Sequence, residues 1–175
     1  MERDDHAPLR LLTAVSSLAA AGIHFAVSPA HFEEYWLFGW FFVVAASLQA
    51  LWSVGMAILV SRPLTIAGGV GNGMLIAIWA WTRAVEVPIG PAAGDTEPVG
   101  AVSVAAVAFE AIIVALAILL VSGRHWPILR AARLGTVAAA AVVMFAVVGI
   151  VLAAGGNEHL GAEETGHGHS HGGTP

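Results

Sequence analysis

The chain has 175 residues, of which 58% are hydrophobic and only 11% are charged. A soluble domain carries about 25% charged residues, so the composition excludes an ordinary water-soluble globule and indicates an integral membrane protein. Cysteine is absent, which excludes disulfides, thiolate metal sites, iron–sulfur clusters and cysteine nucleophiles, so any metal ion must be held by nitrogen and oxygen ligands.

Long apolar runs predict membrane-spanning helices. A helical run of about 20 apolar residues is long enough to cross a bilayer core, and these runs lack the alternating pattern of a membrane β-barrel. We predict an all-α fold, a small antiparallel bundle of about five transmembrane helices in one domain over residues 1–154. The predicted spans are residues 9–27, 36–61, 64–83, 99–122 and 134–154.

The distribution of arginine predicts the orientation of the bundle. All 7 basic side chains are arginine, and all but Arg83 lie before or at the start of the first span or in the connections between spans two and three and between spans four and five. The positive-inside rule places those segments in the cytoplasm. The amino terminus is therefore predicted to lie inside and the carboxyl terminus outside. The absence of lysine together with many alanines, glycines and valines suggests a GC-rich bacterial genome, so we predict a protein of the bacterial cytoplasmic membrane. The alternative for the first span is a cleaved signal peptide ending near Ala30.

The polar stretch after the first span, SPAHFEEYW, predicts an extracytoplasmic mouth. Ser28 and Pro29 are typical of a helix start, and on the short surface helix that follows them His31 and Glu34 would share a face. Together with His24, at the end of the first span, they form a candidate site for Zn²⁺, Cu²⁺, Ni²⁺ or Co²⁺. The alternative is a solvated polar turn beside an interfacial aromatic belt.

Three polar side chains are predicted near the bilayer midplane. Glu110 is the only carboxylate well inside a predicted span, and Gln49 and Asn72 lie at similar depth in two other spans. Intramembrane ionisable residues often mark functional sites, so we predict a midplane ion or proton site at which the two amides supply neutral ligands. The alternative is a neutral Glu110 whose hydrogen bond holds helices together. His24 is predicted one or two turns further out.

The third span contains the glycine-rich stretch AGGVGNG, residues 67–73. Glycines at this spacing most often permit close helix contact. The less common alternative is a broken helix that exposes backbone carbonyls to a transported ion.

Residues 155–175 form a glycine-rich polar tail, which we predict to be disordered and extracytoplasmic. Short histidine-rich tracts are typical of metal binding, and neutral imidazole suits the same transition metals. The alternative is a solvated tail whose histidines have no ligand. The candidate ligands are His159, His167, His169 and His171.

These patterns predict a membrane protein that captures divalent transition-metal ions with its tail and transports or senses them through the mouth and the midplane site. The alternative is a non-catalytic structural or accessory subunit of a larger membrane complex. The expected partners are the lipid bilayer, metal ions and either further copies of the chain or a larger membrane complex. The chain carries no nucleophile constellation, phosphate loop or dinucleotide fingerprint, so an enzyme is expected only if histidines and carboxylates hold a haem or a redox metal. Its formal net charge of -5 and lack of a basic cluster predict no nucleic acid partner.

Overall fold

The computed structural model describes residues 6–59, 61–91, 93–123, 138–142, 144–146 and 148–149. These residues form no strand, and they contain four long helices, each long and apolar enough to cross a membrane. The all-α prediction is thereby confirmed at this level, and the fold fits a multi-pass membrane protein. The helices are α1 Ala7–Glu34, α2 Trp36–Ile58, α3 Arg62–Ala84 and α4 Ala101–Ser122.

Several predicted segments lie wholly or largely outside the described residues. Of the fifth predicted span, residues 138–142, 144–146 and 148–149 are described, and they are helical. The connection that carries three of the arginines and the tail over residues 155–175 are not among the described residues. The domain boundary after residue 154 and the orientation of the termini stay predictions.

The first helix differs from its prediction. α1 continues to Glu34 with Pro29 inside it, so the predicted new helix start is wrong. The Ser28 hydroxyl does not cap a new helix but donates to the carbonyl of Phe25 in the same helix, at 2.9 Å. A proline inside a membrane helix is tolerated when neighbouring groups satisfy the freed backbone atoms. The chain leaves the helix at Tyr35, which has an extended backbone conformation.

The interior of the bundle is built from small side chains. α1 packs against α2 and α4, and α3 packs mainly against α4, whereas α2 and α3 contact each other only sparsely. Buried alanines let helix backbones approach closely, which is the usual basis of helix association in a membrane. The central apolar cluster joins α1 and α4 to the described part of the fifth segment and consists of Ala19, Ala20, Ile23, Ala106, Phe109 and Val148.

Two buried serines fix the register of α1 against α2. Ser17 Oγ donates to the carbonyl of Gln49 at 2.8 Å, and Ser53 Oγ donates to the carbonyl of Ala14 at 2.7 Å. Polar contacts of this kind hold membrane helices at a defined rotation and height. They position the α2 residue whose side chain enters the buried site described below.

A groove runs between α2 and α3 because these helices make few contacts. It has a volume of about 700 Å³ and almost entirely apolar walls, which include Trp40 and Phe41. Gln49 and Asn72 are among its lining residues, so the polar interior of the bundle lies directly behind this apolar surface.

An arginine at the end of the bundle opposite Tyr35 joins α1 to α2. Arg10 Nη2 donates to the carbonyls of Met56 and Leu59, each at 3.1 Å, in the last turn and at the C-cap of α2. The last carbonyls of a helix have no partner within it, and a cation there complements the helix dipole. Arg10 therefore caps α2 from the neighbouring helix.

We expect Arg10→Met to lower the free energy of unfolding by about 1 kcal/mol, the usual net value of such a hydrogen-bonded contact. The measurement is thermal unfolding of the protein in detergent. Arg62→Met is the matched control, because Arg62 is an exposed arginine at the first residue of α3 and its loss should leave the unfolding temperature nearly unchanged. Equal effects of the two substitutions would contradict a capping role for Arg10.

Candidate functional site

Four polar side chains, one from each long helix, meet in the interior of the bundle. Their exposed fractions are 6% for His24, 4% for Gln49, 4% for Asn72 and 2% for Glu110. We call these four side chains the buried cluster. The sequence placed Gln49, Asn72 and Glu110 at similar depth, and the structure brings all three together, with His24 in addition.

The Gln49 amide lies between the other members of the buried cluster. Its Nε2 donates to Asn72 Oδ1 at 2.9 Å and to Glu110 Oε1 at 3.4 Å. His24 Nε2 lies 3.5 Å from the same oxygen of Glu110. Asn72 in turn is oriented by its own helix, since its Nδ2 donates to the carbonyl of Gly68 at 2.9 Å. One carboxylate oxygen is therefore shared by side chains from two other helices.

His24 lies in the same layer as Glu110, not one or two turns further out as the sequence predicted. The reason is the extra length of α1, which ends at Glu34. His24 is ten residues before that end, which is about 15 Å at the rise of an α-helix. Glu110 is nine residues from the start of α4, which is about 14 Å. The two side chains therefore meet at nearly equal depth.

Two buried atoms of the cluster have no hydrogen-bond partner among the described residues. They are His24 Nδ1 and Gln49 Oε1. Buried polar atoms are almost always paired, because leaving one unpaired sacrifices its hydration without replacement. An unpaired imidazole nitrogen and amide oxygen beside a carboxylate indicate a place that can accept another polar species.

Rotation of the Gln49 amide changes which of its atoms, the hydrogen-bond donor or the acceptor, faces the other members of the buried cluster. A half-turn of the Gln49 amide about its last torsion exchanges Nε2 with Oε1. The position between Asn72 Oδ1 and Glu110 Oε1 would then be bordered by three side-chain oxygens, with His24 Nε2 beside them. Three oxygens and an imidazole nitrogen suit a divalent cation that accepts mixed nitrogen and oxygen ligands.

The structure does not assemble the predicted mouth site. Among the described residues, no three histidine, aspartate or glutamate side chains form a group that could hold a metal ion. His31 is half-buried, with its Nδ1 2.9 Å from the carbonyl of Val27, and Glu34 is exposed. His24 and Glu34 are ten residues apart on one continuous helix, too far along its axis to share an ion. His24 belongs instead to the buried cluster.

A residue that the sequence analysis missed lies between the two histidines of α1. The ring centroid of Phe42 is 4.0 Å from that of His31 and 5.6 Å from that of His24. Phe42 is seven residues before Gln49, so both side chains lie on one face of α2. That spacing is the signal that could have identified it, although phenylalanine in an apolar span carries no chemical signal of its own.

The stretch AGGVGNG lies in a continuous helix, and its first two glycines, Gly68 and Gly69, serve close packing, the more common use that the sequence favoured. A Cβ atom at Gly68 would overlap the indole of Trp52 on α2. A Cβ atom at Gly69 would lie 3.1 Å from the Cβ of Ala117 on α4. These contacts on neighbouring helices hold the part of α3 that carries Asn72.

The tail candidates His159, His167, His169 and His171 lie outside the described residues, and their role stays a prediction.

No protein-family model matches the chain, and comparisons with curated proteins and with solved structures find no match. The function proposed below is therefore argued from the buried cluster itself.

Proposed function

We propose that this protein handles divalent transition-metal ions such as Zn²⁺, Cu²⁺, Ni²⁺ or Co²⁺, with the buried cluster as its inner binding site. The observation that carries the proposal is the convergence of His24, Gln49, Asn72 and Glu110 from four different helices on one buried point. In this proposal the histidines of the tail capture ions outside a bacterial cytoplasmic membrane and raise their concentration near the bundle.

The unpaired atoms support ion binding over a purely structural network. A polar network that only holds helices together is most stable when every member is paired. Here His24 Nδ1 and Gln49 Oε1 have no partner among the described residues. The cluster therefore retains donor capacity after its internal contacts are made, which is the arrangement expected of a site that accepts a further species.

The charge of the cluster supports a cation as that species. Glu110 supplies its single carboxyl group, and the other members are an imidazole and two neutral amides. Electrostatic attraction between a carboxylate and a divalent cation is strong where water is excluded. Because the ligands come from four helices, a bound ion would also favour the folded state through mass action.

The test is the transition-metal content of untagged protein purified without chelator, measured by elemental mass spectrometry. The samples are the full chain, a version that lacks residues 158–175, and Glu110→Gln in both backgrounds. We expect the truncated protein to keep a stoichiometric ion and Glu110→Gln to lose it, because the substituted amide keeps the shape but removes the charge. The truncation removes all four tail histidines, so it isolates the site in the bundle.

Ser53→Ala is the matched control. Ser53 is buried, lies one turn beyond Gln49 on α2 and makes a hydrogen bond to α1, but it supplies no ligand to the cluster. We expect this variant to lose some stability and keep the ion. Absence of metal from both the full and the truncated chain would overturn the proposal. That result would favour the alternative function, an accessory subunit of a larger membrane complex, because this function does not require the buried cluster to bind an ion.

A further inference from the structure

Phe42 lies between the buried cluster and the end of the bundle that carries Tyr35. Its ring approaches His24 in an edge-on arrangement at 5.6 Å and His31 in a tilted arrangement at 4.0 Å. His31 is half-buried near that end, and His24 is 6% exposed. The two imidazoles are seven residues apart on α1, two turns along one face, and the aromatic ring reaches across from α2 into the interval between them.

We infer that Phe42 is a positioning residue that controls the passage of ions between His31 and the buried cluster. This inference rests on the proposed function, since it concerns the route to the same site. An aromatic ring in this position excludes water and ions from His24 while it is in place. It can also turn aside without the loss of a hydrogen bond, because a phenylalanine side chain makes none.

The two histidines are oriented in a way that fits a passage interrupted by this ring. His31 Nδ1 lies 2.9 Å from the carbonyl of Val27 and is held by it, which leaves Nε2 as the nitrogen able to bind an ion. On the other side of the ring, His24 Nε2 is directed at Glu110, and Nδ1 has no partner among the described residues. Each imidazole therefore keeps one ring nitrogen that can bind an ion, which is Nε2 in His31 and Nδ1 in His24.

The decisive property of such a residue is that it changes rates and leaves the equilibrium unchanged. We propose to measure Co²⁺ binding to the purified full-length protein by stopped-flow absorbance, since the visible bands of Co²⁺ report its ligands. In Phe42→Ala the association and dissociation rates should both rise by about tenfold or more, as expected when a closing element is removed. The dissociation constant should stay the same. Unchanged rates, or a change in only one of the two rates with a matching change in the dissociation constant, would overturn the inference.

Phe38→Ala is the matched control. Phe38 is one turn away on the same helix and is also half-buried, and its ring packs edge-on against Tyr35 with a centroid distance of 5.3 Å. The described residues include no ring contact between Phe38 and either histidine. Its truncation removes a similar amount of aromatic surface from the same end of the bundle, so the rates should stay within about twofold of the unmodified protein if passage depends on Phe42 itself.

A second readout separates this inference from the proposed function, because it requires no metal. Modification of individual histidines by diethyl pyrocarbonate, followed by peptide mass spectrometry, measures reagent access to His24. We expect faster modification of His24 in Phe42→Ala and an unchanged rate in Phe38→Ala, with His6, at the other end of α1, as the internal reference. Faster modification without Co²⁺ binding would support the passage and overturn the proposed function. Co²⁺ binding with unchanged rates and unchanged modification would overturn the role of Phe42.

Discussion

Gly68→Ala is expected to lower the free energy of unfolding by about 1–3 kcal/mol, the usual penalty of forcing an extra methyl group into a packed interior. The added Cβ would overlap the indole of Trp52. That ring has little freedom to retreat, because its Nε1 donates to the carbonyl of Leu64 at 2.7 Å. Either the hydrogen bond breaks or α3 moves away from α2.

The same substitution should also disturb the buried cluster. The carbonyl of Gly68 accepts the hydrogen bond that orients the Asn72 amide, and Asn72 in turn accepts from Gln49. A displacement of α3 therefore lengthens the contact between the two amides. We expect the variant to retain less metal than the unmodified protein when both are purified in the same way.

Two glycines in the same helix provide the control. Neither Gly71 nor Gly73 has any atom within 4 Å of the position that a Cβ would occupy. Alanine in the interior of a helix is more favourable than glycine by about 0.5–1 kcal/mol, so Gly71→Ala and Gly73→Ala should be at least as stable as the unmodified protein. Thermal unfolding in one detergent compares all three. If Gly68→Ala were equally stable, the close approach of Trp52 to α3 would be refuted.

The common level of Gln49, Asn72 and Glu110 along the bundle was predictable, because helices that cross a membrane have similar lengths. The bounds of α2, α3 and α4 lie within about three residues of the predicted spans, and a constant rise per residue then gives the depth of Gln49, Asn72 and Glu110. The same procedure failed for His24, because Pro29 was interpreted as a helix start although α1 passes through it. The predicted end of the first span at residue 27 lies about two turns before the end of α1 at Glu34, so the predicted depth of His24 was wrong by about the same distance.

The lateral arrangement of the helices was not predictable, since it depends on contacts that leave no pattern in an apolar sequence. The rotation of α1 against α2 is set by Ser17 and Ser53, which donate to backbone carbonyls that every residue possesses. The position of Phe42 against two imidazoles depends on that rotation. The depth of each polar group along its helix could therefore be predicted from the sequence. Which of these groups contact each other depends on how the small side chains pack the helices together.

Glu110→Leu is expected to lower the free energy of unfolding by about 1–3 kcal/mol, because it leaves buried partners without their acceptor. His24 Nε2 would lose its contact with the carboxylate, and Gln49 Nε2 would keep only its bond to Asn72. The double variant His24→Leu/Glu110→Leu removes both members of the contact. Replacing a buried polar pair by apolar groups of similar shape is often nearly neutral, so the double variant should regain part of the stability lost by Glu110→Leu.

The double-mutant cycle separates stability from ion binding at this contact. Unfolding free energies of the unmodified protein, the two single variants and the double variant give the interaction energy between His24 and Glu110, which is expected to be about 0.5–3 kcal/mol for residues in contact. Pairing His24→Leu with Ser53→Ala gives the control cycle. Ser53 contacts Ala14, about 15 Å along α1 from His24, so those effects should add. In the version that lacks residues 158–175, metal should be absent from Glu110→Leu and also from the double variant that regains stability. If regained stability were accompanied by regained metal, the ion would have to bind elsewhere, and the buried cluster would be a structural contact only.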